Sequence, residues 1–425
     1  MQAMPNHSLS AAVSSSLRQA SAPTRRAVNG ATNAPQPGSE TARAASERGY
    51  SNVDLLALAD ASRGPRPVPA SEPNAPGQHM VGFYNVENLF DPSDASGVDD
   101  EDFTPSGWAA WTQEKYDQKV DNLARVIRST NGGRGPDILA LGEVENRAAV
   151  AYLRDQGLAD LGYDTIAHQD SADTRGIDTA ILSRHPLIGK PKLHNLHDLD
   201  DPIWDKQTRG ILEATFDVDG TALTVFVNHW PSKRGGANRQ LQRMQMAKAL
   251  RRIIQQRQQA NPKAQILVLG DFNVNPGNEA MGPLGLGSST RPTAVRQQRD
   301  GGPTLYHTAT DLAHQVRQHR PQGVRATRGS ITARMQNHGN SMGTGYYHGT
   351  WSAFDQILVN RGLLDAGDLQ LVPGSMQVVR EPFMVNSIGA PMRFFQPHVD
   401  PSEQDLDKTG YSDHLPVVVR LQQSS

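Results

Sequence analysis

The sequence predicts an α/β domain behind a long polar head, and two observations carry that prediction. From Met80 onward, apolar runs of strand length alternate with amphipathic segments of helical period. Before that point the chain is rich in Ala, Ser, Pro, Asn and Gly, with few large apolar side chains. A third observation bears on function: the strand-like runs carry a carboxylate, an amide or an imidazole at or next to one end.

The head, residues 1–78, includes "ATNAPQPGSETARAASERG". Such a composition cannot bury enough apolar surface to offset its ordering entropy, so it reads as disordered, with "NVDLLALADAS" suited to one short helix. Before Glu40 it holds Arg18, Arg25 and Arg26, no acidic residue, and no apolar stretch of the secretory kind. It is either a flexible tail or a Ser-rich export signal resembling those of type III effectors, and composition alone supports both.

Residues 79–425 supply the folded part. "MVGFYNVENLF" reads as a strand running into a loop. "WTQEKYDQKVDNLARVIRST" has a Thr112 cap and Tyr116, Val120, Leu123, Val126 and Ile127 at helical spacing. "DILALGEVEN" is an apolar strand ending on Glu143, and "GIDTAILS" and "ALTVFVNHW" are two more. "NRQLQRMQMAKALRRIIQQRQQ" is an amphipathic helix with a basic outer face, followed by the strands in "AQILVLGDFNVNP" and "FDQILVN". In "GYSDHLPVVVRL", Val417 to Val419 belong inside a sheet, with Asp413 and His414 at its mouth. Between lies a Gly- and Arg-rich insertion, about 283–347, in which eight Arg from Arg291 to Arg334 face only Asp300 and Asp311. It is a phosphate-gripping loop or a solvated insert.

Bulk charge excludes some partners. With 42 Lys+Arg against 44 Asp+Glu, no overall positive field draws the chain to polyanions, so such a substrate must be held by local charge or a metal. The absence of Cys excludes disulfides and thiolate chemistry. No apolar run approaches the ~18 residues of a membrane span, so a soluble protein without integral membrane contact is expected.

The polar strand ends are Asn85 and Glu87, Glu143, Asp178, His229, Asp271 and Asn273, Asp355, and Asp413 with His414. One would be an ordinary cap. Several brought together by adjacent strands would repel, and a divalent cation relieves the repulsion. Oxygen ligands without Cys point to Mg²⁺, Mn²⁺ or Ca²⁺ rather than structural zinc. The sequence has neither G-x-x-x-x-G-K-[ST] nor H-E-x-x-H, which removes support for a nucleotide loop or a zinc protease.

"YNVENL", "LGEVEN", "VNHWPSK", "LGDFNVNP", "FDQILV" and "YSDHLPVV" resemble, in that order, motifs of the endonuclease/exonuclease/phosphatase superfamily. This group includes deoxyribonuclease I-like and exonuclease III-like nucleases, inositol-phosphate phosphatases and bacterial sphingomyelinases, and the resemblance runs from about Gln78 to Leu421. It implies a four-layer αββα sandwich of two mixed sheets with helices outside and the site at one end. It further implies that Asn85 and Glu143 hold Mg²⁺ (or Mn²⁺), assisted by Asp413. Asp271 and Asn273 would hold a second ion or orient water and phosphate. His414, backed by Asp355, would contact phosphate and shuttle a proton, His229 would pair with Asp178, and Arg209 would contact phosphate.

Other residues have alternatives open. Glu87 and Glu145 suit capping as well as ligation, and Trp230, Trp351 and Tyr347 suit packing as well as base stacking. Lys233, Arg234 and Arg239 suit a solvated loop as well as backbone contact, while His307, His348 and His398 read as loop residues. The expected function is a metal-dependent phosphodiester hydrolase, foremost a nuclease on DNA or RNA, acting as a monomer and resembling exported bacterial members. The rivals are an enzyme of inositol phosphates or sphingomyelin and a catalytically silent effector.

Overall fold

The computed structural model describes residues 69–196, 209–233, 236–286, 305–310, 343–396 and 398–424. All lie in the second of the two units of the chain, 63–425. The eight Arg of the stretch 291–334, Arg234 and most of the predicted head fall outside them.

Two mixed sheets form the centre. The first has the parallel pair β1 (Gln78–Leu89) and β2 (Ile138–Val144) in its middle. Beyond β2 lie β4 (Asp178–Ser183) and β3 (Thr165–His168), and beyond β1 lie β15 (Val417–Gln423) and β13 (Leu369–Leu371). A short β14 (Gln377–Val378) also pairs with β15. The second sheet runs β5 (Lys192–His194), β6 (Ile211–Val218), β7 (Thr221–His229), β8 (Gln265–Asp271), β12 (Asp355–Val359), β9 (Tyr306–His307), with β7 and β8 parallel. A small hairpin, β10 (Gly345–Tyr347) and β11 (Thr350–Ser352), stands apart.

Alternation along the strands builds the layers. Val81, Phe83, Ile138, Ala140, Val417 and Val419 share one core with Val225, Val227, Leu267, Leu269, Ile357 and Val359 of the other sheet. The intervening Met80, Tyr84, Leu139 and Leu141 pack with α1 (Gln113–Arg128) and α2 (Arg147–Tyr152). Phe226, Ile266, Val268 and Leu358 pack with α3 (Gly236–Ala260). The result is the expected four-layer sandwich. In α1, Thr112 caps Lys115 N and all five predicted apolar positions are buried.

Two expectations need correction. Packed chain begins by Pro69, well before Gln78: Ala70 is buried, and the buried Arg420 donates to Pro69 O and Glu72 O, both at 2.8 Å. Apolar content, the basis of the sequence boundary, cannot register backbone acceptors. His307 lies in a buried strand rather than a loop, its Nε2 2.8 Å from Gln356 Oε1. Among the described residues, no helix is long and apolar enough to cross a membrane.

Candidate active site

The two-residue period decides which side chains meet. Asn85 continues the phase of Val81 and Phe83, His229 that of Val225 and Val227, Asp271 that of Leu267 and Leu269, and Asp355 that of Ile357 and Val359. All four therefore project between the sheets. Strand register sets His229 opposite Asp271 and Asp271 opposite Asp355. Glu143 breaks the pattern: by phase it would follow Leu139 and Leu141 toward the helices. The register shifts between Gly142 and Val144, Glu143 has φ 62°, and this bulge brings its carboxylate back to Asn85. Gly270, at φ 145°, is required by close approach, since a Cβ there would stand 1.9 Å from Asn228 O.

Asn85 Nδ2 donates to Glu143 Oε1 at 3.0 Å and to Asp271 Oδ2 at 3.3 Å, while Asn85 Oδ1 accepts from Glu87 N. The Ser412 hydroxyl donates to Asn85 O at 2.7 Å and accepts from His414 N, tying the loop before β15 to β1. His414 Nδ1 lies 2.7 Å from Asp355 Oδ2, and its Nε2 lies 3.9 Å from Asp271 Oδ2. His229 Nε2 lies 3.7 Å from Glu143 Oε1 and 3.8 Å from Asp271 Oδ2, and its buried Nδ1 has no partner among the described residues. Asn273 donates its backbone N to Asp271 Oδ1 and its side-chain Nδ2 to Trp230 O.

Burial and neighbouring charge set the protonation states. Burial works to lower the His414 imidazole, but the Asp355 and Asp271 carboxylates hold it well above its ordinary value. Burial, aided by the Arg209 and His414 cations, keeps His229 well below it and neutral. Burial pushes Asp271 up to about 7; His414 opposes the shift, and Asp355 and Glu143 add to it. Carboxylates crowded and buried in this way ionise at a cost that added positive charge would relieve. Asp271, Asp355 and His414 present ligand atoms within 4.8 Å of one another. With Glu143 alongside, the oxygen-rich donor set fits a hard dication such as Mg²⁺ or Mn²⁺.

The rim shows residues that the sequence reading missed. Arg393 donates from Nε to Glu87 Oε1 at 2.9 Å and from Nη2 to Asp413 Oδ2 at 3.3 Å, and Phe394 N donates to Glu87 Oε2. The fully buried Lys119 donates to Tyr411 O at 2.9 Å; burial brings it down to about 8, against the pull of Glu87, Asp413 and Glu143. Arg209 Nε donates to Asp173 Oδ2 at 3.0 Å, and Arg175 pairs with the same carboxylate at 3.7 Å. Arg175 precedes the "GIDTAILS" strand and had a signal in that position. Arg393 and Lys119 had none.

The predicted His229–Asp178 pair does not form. Asp178 is in phase with Ala180 and Leu182, which pack on the helix side of the first sheet, so it meets His168 Nε2 at 3.0 Å and Ser171 N instead. Glu145 caps Asp91 N at 2.8 Å, and burial raises it to about 7. Trp230 is core, Trp351 packs on Tyr346 and under Arg380, and Tyr347 is exposed. Lys233 lies over the Phe354 ring, and Arg239 donates to Gln242.

The Endonuclease/Exonuclease/phosphatase family model matches residues 80–299. Comparison with curated proteins gives no match. The chain is similar to the solved structure of TDP2 from C. elegans, at 13% identity and TM-score 0.46 over 81% of this chain and 75% of that one. It is also similar to an endonuclease/exonuclease/phosphatase from Beutenbergia cavernae DSM 12333, at 16% identity and TM-score 0.44 over 82% and 72%. A Bacteroides thetaiotaomicron protein of the same family description is similar at 14% identity and TM-score 0.45, over 82% and 99%. With more than half its length matched in sequence, the chain belongs to the endonuclease/exonuclease/phosphatase family.

Proposed function

We propose that this chain hydrolyses phosphodiester bonds of nucleic acid with the help of Mg²⁺ or Mn²⁺. The observation that carries the reading is the His414–Asp355 pair at 2.7 Å, set beside the Asn85–Glu143–Asp271 cluster where the two sheets meet. Glu143, Asp271 and Asp413 would hold the ion, with Asn85 and Asn273 alongside. When bound it supplies positive charge to the phosphate and lowers the pKa of a coordinated water.

The remaining roles belong to the side chains. Asp355 accepts from His414 Nδ1 and fixes the ring, so the protonated Nε2 faces the reaction and gives its proton to the leaving oxygen. His229, kept neutral, offers a hydrogen bond to a phosphate oxygen, and Arg209 with Arg175 offsets phosphate charge. Asn273 orients water or phosphate through its side chain. The experiment is incubation of the purified protein with Mg²⁺ and a panel of plasmid DNA, structured RNA, phosphoinositides and sphingomyelin, each repeated with EDTA. Cleavage of a nucleic acid that stops with EDTA is expected. Undiminished activity in EDTA overturns the metal, and turnover of lipid substrates alone overturns the substrate class.

A further inference from the structure

Two residues along the chain from Arg393, which binds Asp413, the protein leaves an aromatic surface open to solvent. Trp108 is 61% exposed, and its ring centre lies 5.5 Å from that of the half-buried Phe395. Below them, Phe395 packs 5.8 Å from Trp111 and 5.5 Å from Phe394, both buried. The Trp111 indole donates to Phe90 O at 2.9 Å, so the foundation is anchored to the residue that follows β1. The turn carrying Trp108 is fixed at Gly107, where a Cβ would stand 1.8 Å from Glu101 O.

This surface is joined to the reaction centre by a short piece of chain. Arg393 binds Asp413, and Phe394 N binds Glu87. Two residues span at most about 7 Å, so the backbone of Phe395 stands within that reach of the backbone of Arg393. A core aromatic cluster has no need of an exposed indole. A substrate whose every unit carries both a phosphate and a flat ring would use the cation beside Asp413 and the ring surface together.

We infer that Trp108 and Phe395 form a stacking platform for an unpaired base of a nucleic-acid substrate, one or two nucleotides from the scissile phosphate. This rests on the nucleic-acid reading above and adds a single-stranded requirement at that position, because a paired base hides its face within the duplex.

The test compares KM for a single-stranded oligonucleotide with KM for the same oligonucleotide in which abasic residues flank the cleaved bond. The wild-type protein should favour the intact strand by about 10-fold, the order that one stacked base supplies. Trp108→Ala should erase that preference with kcat little changed and the melting curve retained, and Trp108→Phe should restore it. If oligonucleotides are cleaved but Trp108→Ala keeps the wild-type preference, the platform is wrong and the nuclease reading stands. If the wild type neither binds nor cleaves any oligonucleotide, both fall. If Trp108→Ala instead releases the protein from sphingomyelin-containing vesicles, with oligonucleotide cleavage unaltered, the surface is a lipid contact and the platform is overturned.

Discussion

His229 at the end of β7 and His414 in the loop before β15 face the same gap, yet their surroundings give them opposite protonation states, and Asp178 serves neither. The consequence is a contrast between two carboxylates. Asp355→Asn removes the anion that holds the His414 ring and should lower kcat by roughly 10²-fold while leaving the fold intact. Asp178→Asn should leave kcat near wild type and lower stability by about 1–3 kcal/mol, since it weakens the buried contact to His168. Measuring kcat and thermal melting for both variants decides it; a dead Asp178→Asn with an unchanged melt would restore the discarded pair. His307 gives a second prediction. Burial brings it down to about 4, and its Nδ1 already accepts from Ala309 N. Above pH ~6.5 neither folded nor unfolded chain protonates this ring. Between ~6.5 and about 4 only the unfolded chain does, so the group removes roughly 1.4 kcal/mol of stability per pH unit as pH falls, levelling below about 4. His307→Gln should lack this slope. Parallel stability curves for the two proteins across that window would contradict the assignment.

At the scale of elements, α1 does more than bury an apolar stripe. Lys115, Lys119 and Asn122, spaced i, i+4 and i+7, donate to the carbonyls of Pro401, Tyr411 and Gly410. The helix thus holds the loop that ends in Ser412, Asp413 and His414. Lys119→Met should cost about 3–5 kcal/mol, because it leaves Glu87 buried with less cationic compensation and Tyr411 O without this donor. Adding Glu87→Gln to Lys119→Met should recover part of that loss, a coupling that a double-mutant cycle in urea measures; strict additivity would show that the two charges do not sense each other. This element also marks the limit of legibility. The apolar period of α1 and its Thr112 cap were visible in sequence because they follow local rules. The buried Lys119 was not, because only a distant loop explains a cation on an inward face. Strand phase alone could have turned Asn85, His229, Asp271 and Asp355 into the inter-sheet gap and turned Asp178 away from it, since Asp178 is an odd number of steps from Ile181 on the inter-sheet face. Glu143 escaped that count, since a bulge with positive φ has no glycine to announce it.

Over the whole molecule, the composition boundary and the packing boundary disagree, and the disagreement can be measured. Composition ends the polar head near Gln78, where β1 begins, but the preceding residues contribute to the domain through polar contacts. Asn74 Nδ2 donates to Asp137 Oδ2 at 2.7 Å, and the same oxygen accepts from Met80 N. Asn74 N donates to Asn131 Oδ1, and the backbone of 70 and 71 accepts from Asn131 N and Gly132 N. Arg420, buried in β15, is left with fewer acceptors if Pro69, Glu72 and Asn74 are removed. Deleting residues 1–68 removes only the stretch whose composition cannot bury a core, and it should leave the melting temperature and specific activity unchanged. Deleting 1–77 strips partners from a buried guanidinium and from the turn at Asn131, at about 1–3 kcal/mol for each unsatisfied group, so the second truncation should melt several degrees lower. Because β15 leads directly from the loop that carries His414, the longer deletion should also reduce kcat at temperatures near its own melting point while matching the shorter one in the cold. Two truncations with the same melting curve would show that the 69–77 segment contributes nothing to stability; a loss already present on deleting 1–68 would show that the polar head does.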